Sequence, residues 1–264
     1  MHIDHEQLRI FLWFVNYALV LLCFGFILYR RVWRTHPAFA WYLGVVCVKT
    51  LVMMYVYFRQ PNDYLAAYCV SDVIETALTM LIVREIYNDV FRPYDAIPRE
   101  TGSVIAGLVL VVSLLITLYL SRGVLTGDSP VVAFFYSLDT VVNVAVVAAF
   151  LFVTFFAALF GLSWNPRTRA ITYGCLINWG GQLIRIVLLW ASPWSPSTQD
   201  AIGIAGSLPF VVCAAIWLSH FTRPDRPRPE PTLEQLRRLS HLKDSMNSIL
   251  TPLRTVRTLF SGSR

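Results

Sequence analysis

Three ionisable residues interrupt stretches of chain that are otherwise apolar: Lys49, Asp72 and Glu75. Lys49 stands 12 residues before Pro61, the proline of a short polar turn at 59–63, and Asp72 and Glu75 stand 11 and 14 residues after it. A helix rises about 1.5 Å per residue, so two antiparallel helices meeting at this turn carry all three groups to one depth, roughly 17–21 Å from it. A cation beside two carboxylates in apolar surroundings can form an ion pair, hold a charged ligand or relay protons. Each such charge costs roughly 2.5–3.5 kcal/mol at the centre of a membrane helix, so these groups must face inward and pair, or line a wet cavity. A second polar set follows. Asp139 and Asn143 share a face at i, i+4, and Asn178, Gln182 and Arg185 share another at i+4 and i+3. Asp139 and Arg185 both fall about 10–13 Å from one end of their runs, a depth that allows a further ion pair. The eight residues Lys49, Asp72, Glu75, Asp139, Asn143, Asn178, Gln182 and Arg185 are the candidates for ligand binding or proton relay.

The elements that must position them are apolar helices. The 264 residues are 56% hydrophobic and only 14% charged, against about a quarter charged in soluble domains, and the mean hydropathy is +0.57. Seven runs have the length of a membrane-spanning helix, at 8–29, 37–58, 64–90, 103–120, 131–160, 170–190 and 201–221. They are too long for strands and lack the alternation of a barrel. The expected fold is all-α, a polytopic membrane protein with a seven-transmembrane-helix bundle at 1–221. A proline-rich linker at 222–231 and a basic amphipathic tail at 232–264 follow it. Helix 64–90 is the most polar span: Tyr68, Asp72, Glu75 and Thr79 lie on one face, and Arg84, Glu85, Asn88 and Asp89 read as a solvated end, with a cytoplasmic contact surface as the sharper reading. Gly203, Gly206 and Pro209 mark a kink in the last span, and Gly180-Gly181 a close packing point or bend.

Basic residues set the expected orientation. Arg30, Arg31 and Arg34 follow the first run, Arg92 and Arg99 the third, and Arg167 and Arg169 the fifth, while the opposite connections hold only Arg9, Arg59 and Arg122. The N-terminus is therefore expected outside and the C-terminus in the cytoplasm. The first run opens on Asp4 and Glu6, unlike a cleaved signal, and is read as a retained helix. No Asn-x-Ser/Thr site falls on the outer side, which fits a bacterial inner membrane. Nine Lys/Arg against four Asp/Glu lie beyond residue 221, so most of the net charge of +6 is in the tail. Beside a membrane such a tail meets anionic lipid, and no nucleic-acid recognition fold accompanies it.

The five cysteines are scattered through the helices and odd in number, as buried free thiols are. No metal-ligand spacing, phosphate-binding glycine loop, His-Glu-x-x-His or Gly-x-Ser-x-Gly is present, so neither a cofactor nor a catalytic role is expected. The spans carry no buried lysine in the last helix, which removes a retinal Schiff base.

In the tail, Leu239, Leu242, Met246, Ile249, Leu253, Val256 and Phe260 follow a heptad-like spacing beside Arg237, Arg238, Lys243, Arg254 and Arg257. That pattern suits a helix on the membrane surface, self-association through 232–260, or docking on a cytoplasmic protein. The segment Lys243-Asp244-Ser245-Met246-Asn247-Ser248-Ile249-Leu250-Thr251-Pro252-Leu253 resembles the phospho-acceptor helix of membrane sensor histidine kinases. Asn247 stands where that family has its histidine, so the resemblance implies a sensory lineage without kinase activity. Three functions remain open on the sequence: a sensory or receptor-like module binding a small polar ligand in an outward-facing pocket, a secondary transporter or proton-coupled carrier using the buried charges, and a structural or assembly protein whose polar network only holds the bundle.

Overall fold

A computed structural model of the chain describes residues 5–91, 130–191 and 195–223, with positions 230, 232–234, 237 and 240 of the tail. Helices form α1 (His5–Tyr29), α2 (Pro37–Arg59), α3 (Tyr64–Phe91), α4 (Pro130–Leu159), α5 (Pro166–Ala191), α6 (Pro196–Ala205) and α7 (Leu208–Phe221). Among the described residues there is no strand. Five stretches are long and apolar enough to cross a membrane: Gln7–Tyr29, Pro37–Arg59, Ala66–Phe91, Asp139–Leu159 and the α6–α7 stretch Ser197–Phe221. α5 has the length but carries Arg167, Arg169, Asn178, Gln182 and Arg185. The expected run 103–120 and the heptad-like tail from 241 onward lie outside the described residues.

The side chains are arranged for lipid outside and a mixed interior. Phe11, Trp41, Tyr55, Val70, Phe155 and Ile184 are all well exposed, while Val20, Cys23 and Ile27, at i, i+3 and i+7 of α1, are buried. In lipid an outward apolar residue costs nothing, so the usual soluble pattern is not required.

Local sequence sets the helix ends. Pro37 and Pro61 open their helical turns at positions that need no N–H. Asn165 accepts from Arg167 N through Oδ1 at 3.0 Å and starts α5. α4 ends on Gly161 at φ 60°, with Leu162 N donating to Ala157 O and Gly161 N to Ala158 O, a Schellman closure. Arg31 takes the same left-handed region (φ 55°) where α1 turns into the short helical turn Val32–Arg34.

The bundle has two ends. At the turn end lie the α2–α3 turn (Pro61–Asp63), the start of α1 and α6. At the His36 end the packing is solid: Phe39, Leu43, Phe150, Ile171, Trp217 and Phe221 are fully buried, with the Phe39 and Trp217 rings edge-to-face at 4.9 Å. α5 and α7 make the most extensive pairing. It depends on glycine: a Cβ at Gly174 would run into the Trp217 indole, and one at Gly181 into the Pro209 ring.

The last span is broken, as Gly203, Gly206 and Pro209 led one to expect. α6 stops at Ala205, and α7 begins at Leu208 with Pro209 in its first turn. The freed Gly206 carbonyl accepts from Gln182 Nε2 of α5 at 3.1 Å. Irregular backbone at membrane depth is tolerated where protein or a water-filled cavity covers it.

Candidate functional site

A cavity of about 720 Å³ enters the bundle from the turn end. Arg9, Pro61 and Tyr64 stand at its mouth, and Tyr42, Asn143, Asn178 and Phe210 line its deeper part. Among the described residues, none of the packed His36 end lines it. All eight residues singled out by spacing line this one cavity.

Four helices bring them there through their periodicity. On α2 and α3, Lys49 Nζ donates to Glu75 Oε2 at 2.5 Å, and the Tyr42 hydroxyl donates to Glu75 Oε1 at 3.2 Å. The Lys49 ammonium also lies 5.6 Å from the centroid of the Tyr68 ring. Lys49 and Glu75 keep 18% and 15% of their side-chain surface, which leaves the pair at the cavity wall and not sealed in the core. Tyr68 and Asp72 continue the α3 face upward, and Thr79, one turn below Glu75, is fully buried.

On α4, Asn143 Nδ2 donates to both the backbone oxygen and Oδ1 of Asp139, each at 2.7 Å. That arrangement orients the amide, and its Oδ1 is left buried with no hydrogen-bond donor. On α5, Arg185 Nε donates to Gln182 Oε1 at 3.0 Å, and Gln182 in turn holds the broken backbone at Gly206. The Arg185 aliphatic stem lies where a Cβ at Gly206 would stand. Asn178 is 7% exposed and lines the cavity.

One expectation is corrected. Asp139 and Arg185, at matching depth, do not close into an ion pair. Each is held by an amide on its own helix, so the two charges interact across the cavity without contact.

The positions of the buried charges along the chain do not reveal the wall that α1 supplies. Arg9, Trp13, Asn16, Tyr17 and Val20 fall at i, i+4, i+7, i+8 and i+11, and all line the cavity. Arg9 Nη2 donates to the Tyr57 hydroxyl at 2.7 Å, and Trp13 meets the Tyr57 ring edge-on at 5.6 Å. The polar and aromatic stripe on α1 is the signal that marks this wall. Asn16 taken singly reads as a packing contact.

A second polar cluster sits at the His36 end. His36 is 2% exposed, with Nε2 at 3.4 Å from Thr168 Oγ1 and Nδ1 at 3.8 Å from Glu85 Oε1. Thr168 donates to Asp89 Oδ2 at 2.6 Å, and Glu85 Oε2 accepts from Phe39 N at 3.2 Å. A carboxylate from α3 thus closes the exposed N–H end of α2. Arg84 and Asn88 are exposed, whereas Glu85 and Asp89 turn inward, against the solvated-end reading of those two. Among the described residues no group of three or more His, Cys, Asp or Glu is arranged to hold a metal, and the five cysteines are buried free thiols.

Comparison with protein-family models, with curated proteins and with solved structures finds no match for this chain.

Proposed function

We propose that this chain is a seven-span sensory or receptor-like module of a bacterial inner membrane, N-terminus outside, which binds a small polar ligand in the cavity and signals through its cytoplasmic tail. The observation that carries the reading is the cavity itself, with eight polar or charged side chains from four helices converging in it. A fully packed network would serve a purely structural role equally well, but such a network leaves no room of about 720 Å³. The excess of basic residues on the connections at the His36 end supports an orientation in which the cavity faces outward.

The route to the tail is the broken span. Arg185 and Gln182 touch the α6–α7 break from the cavity wall. α7 then runs to Thr222, whose carbonyl accepts from Arg30 Nη2 at the end of α1 at 2.8 Å. A ligand that moves Gln182 or Arg185 thereby biases the angle of α7 and the position of the proline-rich linker. The same break supports a carrier as the second reading, because discontinuous helices also line transporter sites.

Ser207 lines the cavity and differs from cysteine by one atom. In right-side-out vesicles, Ser207→Cys is expected to react with a membrane-impermeant maleimide added outside, while the wild-type chain with its five buried thiols does not. A folded variant that resists labelling from outside removes the outward pocket. Reactivity from both sides in turn favours the carrier.

A further inference from the structure

Three cations and three carboxylates line the cavity, and two of them, Asp72 and Arg9, are not matched by an opposite charge. Lys49 is matched by Glu75 in direct contact. Arg185 and Asp139 offset each other across the cavity. Asp72 interacts electrostatically with Asp139, Lys49 and Glu75, but has no hydrogen-bond or ion-pair partner among the described residues. Arg9 stays at the mouth, engaged by the neutral Tyr57 hydroxyl and ring, so the unmatched charge in the deeper part is the Asp72 carboxylate.

The unmet hydrogen-bonding capacity points the same way. Asn143 lines the cavity at 2% exposure, its amide nitrogen is committed to Asp139, and its buried acceptor Oδ1 has no donor among the described residues. Asn16 of α1, another lining residue, has a buried Oδ1 without a donor among the described residues. Burying an acceptor without a donor is costly, and a donor-bearing ligand relieves that cost. Between these acceptors the wall is aromatic: Trp13, Tyr17, Tyr64, Tyr68 and Trp179 line it. A spare carboxylate, buried acceptors and π faces together are complementary to a positive, hydrogen-bond-donating head on an apolar body.

We infer that the cavity takes a small organic monocation, a protonated primary or secondary amine with an aliphatic or aromatic body, whose ammonium group sits between Asp72 and Asn143. This rests on the pocket reading above and specifies its ligand class.

The test uses the full chain in lipid nanodiscs, with cysteine placed on two walls by Ser207→Cys and Thr50→Cys, since none of the native cysteines lines the cavity. Labelling rates are measured with 2-aminoethyl, 2-sulfonatoethyl and neutral methyl methanethiosulfonate, each divided by its rate with a free thiol. The cationic reagent is expected to be favoured over the anionic one by about tenfold, the lower end of electrostatic focusing in clefts. Asp72→Asn should abolish that preference and Asp72→Glu should keep it, which separates loss of charge from misfolding. Millimolar 2-phenylethylammonium should slow labelling, whereas 3-phenylpropionate and phenylalanine should not. Equal rates for the charged reagents, a preference that survives Asp72→Asn, protection by the anion or the zwitterion, or no protection by the amine overturns the ammonium site. If the neutral reagent still enters, only the ligand class is wrong. If the neutral reagent also fails at both positions, the pocket itself is absent.

Discussion

Lys49 and Glu75 are the residues on which a binding role and a scaffolding role make opposite predictions. Removing one member of a partly buried pair strands the other, at a cost of about 3–5 kcal/mol, whereas replacing both by apolar residues of similar size is often neutral or stabilising. Lys49→Ala should therefore lower the unfolding temperature in detergent sharply, and Lys49→Met with Glu75→Leu should restore it. If the pair only holds the helices together, the double variant is fully functional. If it shapes a ligand site, the double variant is stable but no longer shows amine protection in the labelling assay. The His36 cluster permits a second comparison. Glu85 closes the N-terminus of α2 through Phe39 N, so Glu85→Ala should cost about 1 kcal/mol as other lost helix caps do. Glu85→Gln retains an acceptor and should cost less. Chemical-denaturation midpoints of the two variants check this order.

At the scale of elements, the α5–α7 contact is set by which glycines face a neighbour. Gly174 and Gly181 face Trp217 and Pro209, two rigid rings, and Gly180, adjacent in sequence, has open space at its Cβ position. Gly174→Ala should destabilise by about 1–3 kcal/mol, the range for overpacking. Gly180→Ala should be neutral or slightly stabilising, because it removes unfolded-chain entropy without a clash. Thermal unfolding of the pair reads the difference directly, and equal shifts would contradict the close α5–α7 approach. A pair Gly180-Gly181 announces close packing or a bend, but the face that meets α7 depends on how α5 is rotated. The break in the last span is different. It was readable from Gly206 and Pro209, because a missing N–H and a missing side chain act locally.

At the scale of the molecule, the expected topology has consequences independent of the site. Asn62, in the exposed α2–α3 turn, and Arg34, in the turn between α1 and α2, lie at opposite ends of the bundle. Asn62→Cys should label from outside intact cells and Arg34→Cys only after permeabilisation. The reverse pattern would invert the orientation and turn the cavity toward the cytoplasm. Deleting 232–264 should leave amine protection of Ser207→Cys intact while abolishing signalling output, since the described residues that line the cavity all precede 211.

Much of the architecture could be read from the residues alone, for a simple reason. Lipid offers no hydrogen bonds, so long apolar runs must be helices, and the energetic penalty on charges makes Lys49, Asp72, Glu75, Asp139 and Arg185 conspicuous wherever they occur. Their spacing placed each set on one helix face, and those faces converge on one cavity. What spacing along a chain does not contain is the rotation and tilt of one helix against another. Tertiary packing therefore decided that α1 closes the cavity with Trp13, Asn16 and Tyr17. It decided too that Asp139 and Arg185 stay apart on their own amides, and that Glu85 and Asp89 turn inward to His36 and Thr168. Depth along a helix follows from counting residues, but the partner across the gap depends on ångström-scale offsets between helices that only their combined packing sets.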